Sequence, residues 1–372
     1  MRPRQILVSV VACAFLYGWP LASGRGDDLD PRLPGDVMTE VTAPASVMGR
    51  FGIAPTPRHF PRTSPQELDQ MWPETTKLAS VAVFIYQWSD PQLETVPALM
   101  TASARQSGLA PVLALSPTTL DQQRKELDIP RGLNPAKKSF EDPTVRREFV
   151  HAAERLARLE PEVLCLGTEI NFLALQRLDE FLRFVLLYKE TYHAVKKISP
   201  RTRVCVSFQY ELVRIVDNKE ANKISEHAKL IDVFRPELDV IVLTSYPSNY
   251  YDSPTQMPAN YYEHFRAYLR PDDRVMVMEI GWPSAGRSTP EKQQQFVARL
   301  PGLLAPLKPE LTAWSLLHDV KLDAFGTDLA TTGLLTTEGD RKPAVQAWQD
   351  LFEASGQPST SAPRSQSDAN SR

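Results

Sequence analysis

The sequence predicts an α/β fold, a single (β/α)8 or TIM barrel, and three observations lead there. Eight short apolar runs recur along the 372-residue chain, at residues 47–55, 78–88, 109–117, 163–171, 203–211, 238–248, 274–283 and 311–319, with helical patterns between them. From the fourth run on, the starts at 163, 203, 238, 274 and 311 lie 40, 35, 36 and 37 residues apart, the regular spacing of repeated strand–helix units. The runs are apolar on both faces, as strands covered on both sides require. No dinucleotide fingerprint supports an open doubly wound sheet instead.

The helical stretches carry their own start and stop signals. Asp142-Pro143 and Thr289-Pro290-Glu291 each place a capping residue before a proline at the first helical position, where the missing N–H costs nothing. Residues 175–198 show apolar side chains at helical spacing (Leu178, Phe181, Val185, Leu186, Tyr192) and stop before Pro200. The barrel is expected over residues 47–354. Residues 24–46 read as a polar, aperiodic linker, and 355–372 as a Ser/Gln/Pro-rich disordered tail.

Residues 1–23 read as an export signal. Arg2 and Arg4 precede an apolar centre, and Leu21-Ala22-Ser23 offers small residues for cleavage. The apolar part is too short for a comfortable membrane span. Val10-Val11-Ala12-Cys13 resembles a bacterial lipobox, so a lipid anchor at Cys13 is the alternative to a secreted or periplasmic protein. Lys plus Arg is 42 against 45 for Asp plus Glu, a net charge of −3, which predicts no attraction to nucleic acid or to anionic membrane surfaces. Cys165 and Cys205 fall inside apolar runs and read as buried core residues, with a mutual disulfide as the minor alternative. No Cys/His cluster or phosphate loop is present, so no cofactor or metal is expected.

A barrel directs attention to the C-terminal ends of its strands. There the seventh run, 274–283, ends in Glu279 followed by Gly281, Trp282 and Pro283, and the fourth ends in Glu169. A carboxylate at the end of a buried strand is costly unless it is paired or used. Strand alternation puts Cys165, Gly167 and Glu169 on one face, and Val275, Val277 and Glu279 on one face of the other strand. Two carboxyls in one cleft cannot both ionise easily, and the resulting division into acid and base suits glycoside hydrolysis.

These motifs resemble those of retaining glycoside hydrolases of clan A. Glu279-Ile280-Gly281-Trp282-Pro283-Ser284 is similar to the nucleophile segment of family-seventeen β-1,3-glucanases. Gly167-Thr168-Glu169-Ile170-Asn171 is similar to the Gly-Asn-Glu-Ile-Asn of endo-galactanases, and 333–344 to the common ending of these barrels. The resemblance implies that Glu279 is the nucleophile and Glu169 the acid/base. It further implies that Tyr246 holds the nucleophile and Trp314 stacks on a sugar. Two departures stand out: Thr168 replaces the asparagine that contacts the sugar 2-hydroxyl, and no arginine follows strand two, where Tyr86, Gln87 and Trp88 stand instead.

Trp88, Trp282 and Tyr210 are expected as cleft-wall residues. Asn171 is expected either to orient Glu169 or to cap the next helix. The long loop after strand three, 118–141, carries Gln122, Arg124, Lys125 and Arg131 and is expected as a cleft wall or a surface loop. The functional expectation is an exported retaining glycosidase acting on a β-linked carbohydrate. The alternatives are a glycan-binding barrel without hydrolysis and a glucan transglycosylase.

Overall fold

The computed structural model describes residues 6–7, 43–119, 124–213, 228–321 and 326–357. Apart from Ile6 and Leu7, the expected signal with Cys13 lies outside the described residues, as do nearly all of the linker and the tail beyond Gln357. Among those described, no helix is long and apolar enough to cross a membrane.

The barrel strands are β1 (Arg50–Ile53), β2 (Val81–Gln87), β3 (Ala110–Ser116), β4 (Val163–Cys165), β5, β6 (Ile241–Ser245), β7 (Val275–Ile280) and β8 (Leu311–Trp314). Strand β5 has two pieces, Arg203–Cys205 and Ser207–Gln209. The first piece pairs with β4 and the second with β6. Every other neighbour pair from β1 to β8 is parallel, and β8 returns to β1. The sheet therefore closes through β5, which changes partner at Val206. Closure removes the edges an open sheet would expose.

The helices form where their caps predict. In α1 (Pro65–Thr76) Ser64 and Glu67 make a reciprocal capping box. Helix α2 is Val96–Gln106. In α3 (Pro143–Ala157) Asp142 accepts from the N–H groups of Thr144 and Val145, and in α6 (Pro290–Leu304) Thr289 accepts from Lys292. Helices α4 (Asn171–Gln176) and α5 (Leu178–Ile198) follow β4, and α7 (Pro343–Ala354) closes the chain. Helix α5 buries Phe181, Phe184 and Tyr188, whose rings meet Phe234 edge-on.

Three details depart from the expectations. The first run opens as a 3-10 turn, Ala45–Met48, and the strand begins only at Arg50. Gly49 makes the join at φ 65, where a Cβ would sit 2.2 Å from the Pro309 carbonyl oxygen. The β6–β7 crossover uses 3-10 turns, Pro247–Asn249, Pro254–Gln256 and Glu263–Tyr268. Pro247, Pro254 and Pro258 lack the N–H that a continuous helix needs. At the other end, Gln357 still donates to the Gly49 carbonyl and accepts from Ser80. Cys165 and Cys205 sit in register on β4 and β5, both buried and both free thiols.

Candidate active site

Strand β4 ends at Cys165, four residues before Glu169. Alternation therefore does not carry through: a Cβ on Gly167 would meet Phe184 of α5 at 3.0 Å, so this position faces the helix layer. Glu169 itself adopts φ 49, a left-handed conformation a glutamate seldom takes and which costs about 1–3 kcal/mol. Its N–H donates to the Ser207 hydroxyl at 2.8 Å, which helps to hold the turn. Glu279 reaches the site through a register shift in β7 between Val277 and Glu279. Both side chains are buried, Glu169 at 0% and Glu279 at 1% exposure.

Each carboxylate has a distinct set of partners. Glu169 Oε2 accepts from Arg124 Nε at 3.1 Å, and Oε1 accepts from the Thr244 hydroxyl at 2.6 Å. Glu279 Oε2 accepts from the Tyr246 hydroxyl at 3.0 Å. Glu279 Oε1 has no hydrogen-bond partner among the described residues. A Cβ on Gly281 would fall 2.6 Å from Ser315 Oγ and 3.2 Å from the Tyr246 ring. Only glycine lets that tyrosine lie beside the turn after β7.

The electrostatics follow from burial. Burial raises the Glu169 carboxyl to about 7, while Arg124 and the Thr244 hydroxyl hold it down. Burial, and then the charge of Glu169, push Glu279 well above the usual carboxylate range against the pull of Arg124 and Tyr246. One guanidinium cannot neutralise two buried carboxylates, so a proton stays on the pair at neutral pH. Arg124 touches Glu169 directly and so favours the charged form of that carboxylate more than that of Glu279. Burial and the charge of Glu279 raise the Tyr246 hydroxyl well above its ordinary value, so it remains a donor.

The other expected site residues are placed as follows. Thr168 donates to the Ser116 hydroxyl at 2.9 Å and receives Arg124 Nη1 at 3.1 Å. Asn171 neither orients Glu169 nor caps a helix; it pins β5 by donating to the Gln209 carbonyl and accepting from the Gln209 N–H. Trp314 is fully buried, its indole N–H donating to the Thr332 carbonyl and its ring meeting Phe296 of α6 and Trp348 of α7. A ring so enclosed by the helix layer has no face for a sugar. Trp88 packs edge-on against Phe149 of α3, and Trp282 lies against Phe296 with its N–H on Ser288. Tyr210 is buried beside Tyr262 and donates to the Tyr261 carbonyl. These four aromatics are core in this structure: the three tryptophans turn toward the helices, and Tyr210 packs on the 3-10 turns of the β6–β7 crossover.

Ser116, Thr244 and Glu211 escaped the sequence reading of the site, and Arg124 stood in it only among the side chains of a loop expected as a cleft wall or a surface loop. Arg124 supplies, from the loop after β3, a cation that strand two does not offer. Ser116 at the end of β3 accepts from Arg124 Nη1 at 3.2 Å, and Thr244 lies two residues before Tyr246, where alternation could have found it. Glu211 is a third buried carboxylate. Its Oε1 accepts from the Ser245 hydroxyl, the Tyr246 N–H and the Tyr261 hydroxyl, and Oε2 from Gln209 Nε2. It thus fixes the end of β6 on which Tyr246 stands. Among the described residues no group of three or more His, Cys, Asp or Glu is placed to hold a metal ion.

No protein-family model matches the sequence, and no curated protein matches it. Solved structures do. GH5_18 from Streptomyces cattleya in complex with GlcNAc aligns with a TM-score of 0.65 at 19% identity, covering 87% of this chain and 82% of that one. The exo-β-1,4-mannosidase Op5Man5 from Opitutaceae bacterium strain TAV5 aligns at 0.64 and 15% identity, covering 87% and 64%. The Ignisphaera aggregans GH53 catalytic domain aligns at 0.58 and 15% identity, covering 84% and 98%. The chain thus shares the TIM-barrel fold with these glycoside hydrolase structures.

Proposed function

We propose that the chain is a retaining glycosidase. One observation carries this reading: two buried glutamates stand in the turn after β4 and near the end of β7, and Tyr246 holds one oxygen of Glu279 while the other faces no donor among the described residues. In the first step Glu279 Oε1 bonds to the anomeric carbon as the C–O bond to the leaving group breaks, and Glu169 gives its proton to the departing oxygen. In the second, Glu169 takes a proton from water, whose oxygen displaces Glu279. Retention asks for a carboxyl separation of about 5–5.5 Å in the working site.

The substrate class we infer is a β-linked oligosaccharide or polysaccharide. β-Mannosides come first, because a GH5_18 neighbour was crystallised with Manβ1-4GlcNAc and another neighbour is an exo-β-1,4-mannosidase. Turnover of aryl β-glycosides, with the anomer first released followed by proton NMR, tests the reading. Release of the inverted anomer would sink retention. Export, with Cys13 removed or lipidated, is tested by the mass and N-terminus of the mature protein.

A second reading draws on a specific observation: both oxygens of Glu169 are occupied by donors, Arg124 and Thr244. A glycan-binding barrel that does not hydrolyse would tolerate this. Oligosaccharide binding by calorimetry without turnover of any glycoside would establish it over the first, whereas product analysis at high acceptor concentration would reveal transglycosylation.

A further inference from the structure

A general acid needs one oxygen facing the bond it protonates. In Glu169 each oxygen already accepts a hydrogen bond, Oε1 from Thr244 and Oε2 from Arg124, so a leaving-group oxygen must share or displace one of these donors. The two partners differ in kind. Thr244 belongs to β6 and its hydroxyl can turn from donor to acceptor. Arg124 comes from an irregular loop, can only donate, and carries a fixed charge that favours the carboxylate form. Its position is not casual. The side chain is 1% exposed, its Nη1 lies 3.1 Å from Thr168 Oγ1 and 3.2 Å from Ser116 Oγ, and its backbone is at φ 45. The chain on either side is tied by the Thr118–Leu127 bridge and by the Asp128 N–H on the Pro117 carbonyl.

We propose that Arg124 governs when Glu169 can act as the acid: its guanidinium and the leaving-group oxygen compete for Glu169 Oε2, and turnover requires Arg124 to withdraw from that oxygen. The inference rests on the glycosidase reading and makes Arg124 a positioning residue. It also bears on the distribution of the proton. While Arg124 is docked, it favours the charged form of Glu169 more than that of Glu279, the reverse of what the first step needs. Withdrawal of the cation moves the proton preference back to Glu169 and leaves Glu279 to attack as the anion. The groups that bear on Glu169 are Arg124 from the β3 loop, Glu211 at the end of β5, Tyr246 after β6 and Glu279 on β7, and Cys165 of β4 acts on Glu279. Of these only Arg124 is a cation. The Thr168 departure fits the same picture, since the hydroxyl in the asparagine's place is engaged by Arg124 and Ser116.

The test compares the full-length protein with Arg124→Ala and Arg124→Lys. Glutamate carboxyl carbons are labelled with carbon-13, and the Glu169 signal is assigned by its loss in Glu169→Gln. Without any substrate, Glu169 in Arg124→Ala should titrate about one unit higher than in the wild type, a tenfold shift in proton affinity, and Arg124→Lys should stay near the wild-type value. An unmoved titration in folded Arg124→Ala overturns the proposal, and if that variant does not fold, Arg124→Gln takes its place. Kinetics supply the second readout. The alkaline limb of kcat/KM should move up with the titration, and hydrolysis of a phenyl glycoside should rise about tenfold relative to a dinitrophenyl glycoside, because only the former needs the acid. An unchanged ratio on a folded, active variant also overturns it. If no form hydrolyses any glycoside, the carbon-13 titration still decides the hold of Arg124 on the Glu169 proton, and the glycosidase reading is what fails.

Discussion

The two ends of the barrel handle charge in opposite ways. At the N-terminal end, Arg50, Arg203 and Arg274 alternate with Glu162 and Glu310 in a chain of ion pairs across β1, β4, β5, β7 and β8. Arg203 bridges both glutamates, at 2.7 Å to Glu162 and 2.5 Å to Glu310. Each side chain there keeps 18–61% of its surface in solvent, so water and salt share the neutralisation. At the C-terminal end Glu169, Glu211 and Glu279 are all buried, and the one ion pair described among them is that of Glu169 with Arg124. The lower end is balanced and wet, while the upper end is dry and short of positive charge. Such an imbalance adds no stability and suits a site where protons are exchanged.

The sharpest way to break this contrast is to remove the upper carboxylates. Glu279→Ala should abolish turnover, by roughly 10⁴-fold or more, while leaving the lower end intact. Glu169→Ala should lose about 10²–10⁴-fold on unactivated glycosides yet spare the first step of those with good leaving groups. Equal losses on both substrate types would count against its role as the acid. Tyr246→Phe removes a hydrogen bond to a charged group, worth about 1.5–3 kcal/mol, and kcat should fall accordingly without a matching rise in KM.

The upper end should also limit stability as pH rises. Glu169 is raised from 4.5 to about 7 on folding, so its protonated form is favoured in the folded state. No penalty is felt below the unfolded value of 4.5; it grows as pH rises from there and is complete above about 7. Glu169→Gln should therefore gain in Tm over the wild type as pH is raised through that window, and a pH-independent difference would contradict the assigned burial. The smallest effect belongs to the lower end. Glu162→Ala should cost no more than about 1 kcal/mol per pair, shrink further in high salt and leave the pH profile of activity unmoved. A larger loss would mean that those charges are less screened than their exposure indicates.

Much of the candidate site could be nominated from local signals. Glu279 closes an apolar run before Gly281-Trp282-Pro283, Glu169 stands at the matching end of the fourth run, and Tyr246 precedes Pro247 at the end of the sixth. What could not be read was direction. Trp314, Trp282, Trp88 and Tyr210 lie at or just past strand ends, where one residue of offset sends a side chain into the helix layer instead of the cleft. The left-handed turn at Glu169 and the register shift at Glu279 break the alternation on which a sequence reading relies.

The sequence by itself determined the barrel, because apolar periodicity, proline-marked helix starts and even strand spacing are local and repeat along the chain. It also determined which strands end in carboxylates. Only the tertiary structure decided which charges meet. Arg124 lies 45 residues from Glu169 and Thr244 lies 75 from it, in segments with no shared pattern. Barrel closure brings them together, and in so buried a place their charge and hydrogen bonds act on Glu169 with little screening.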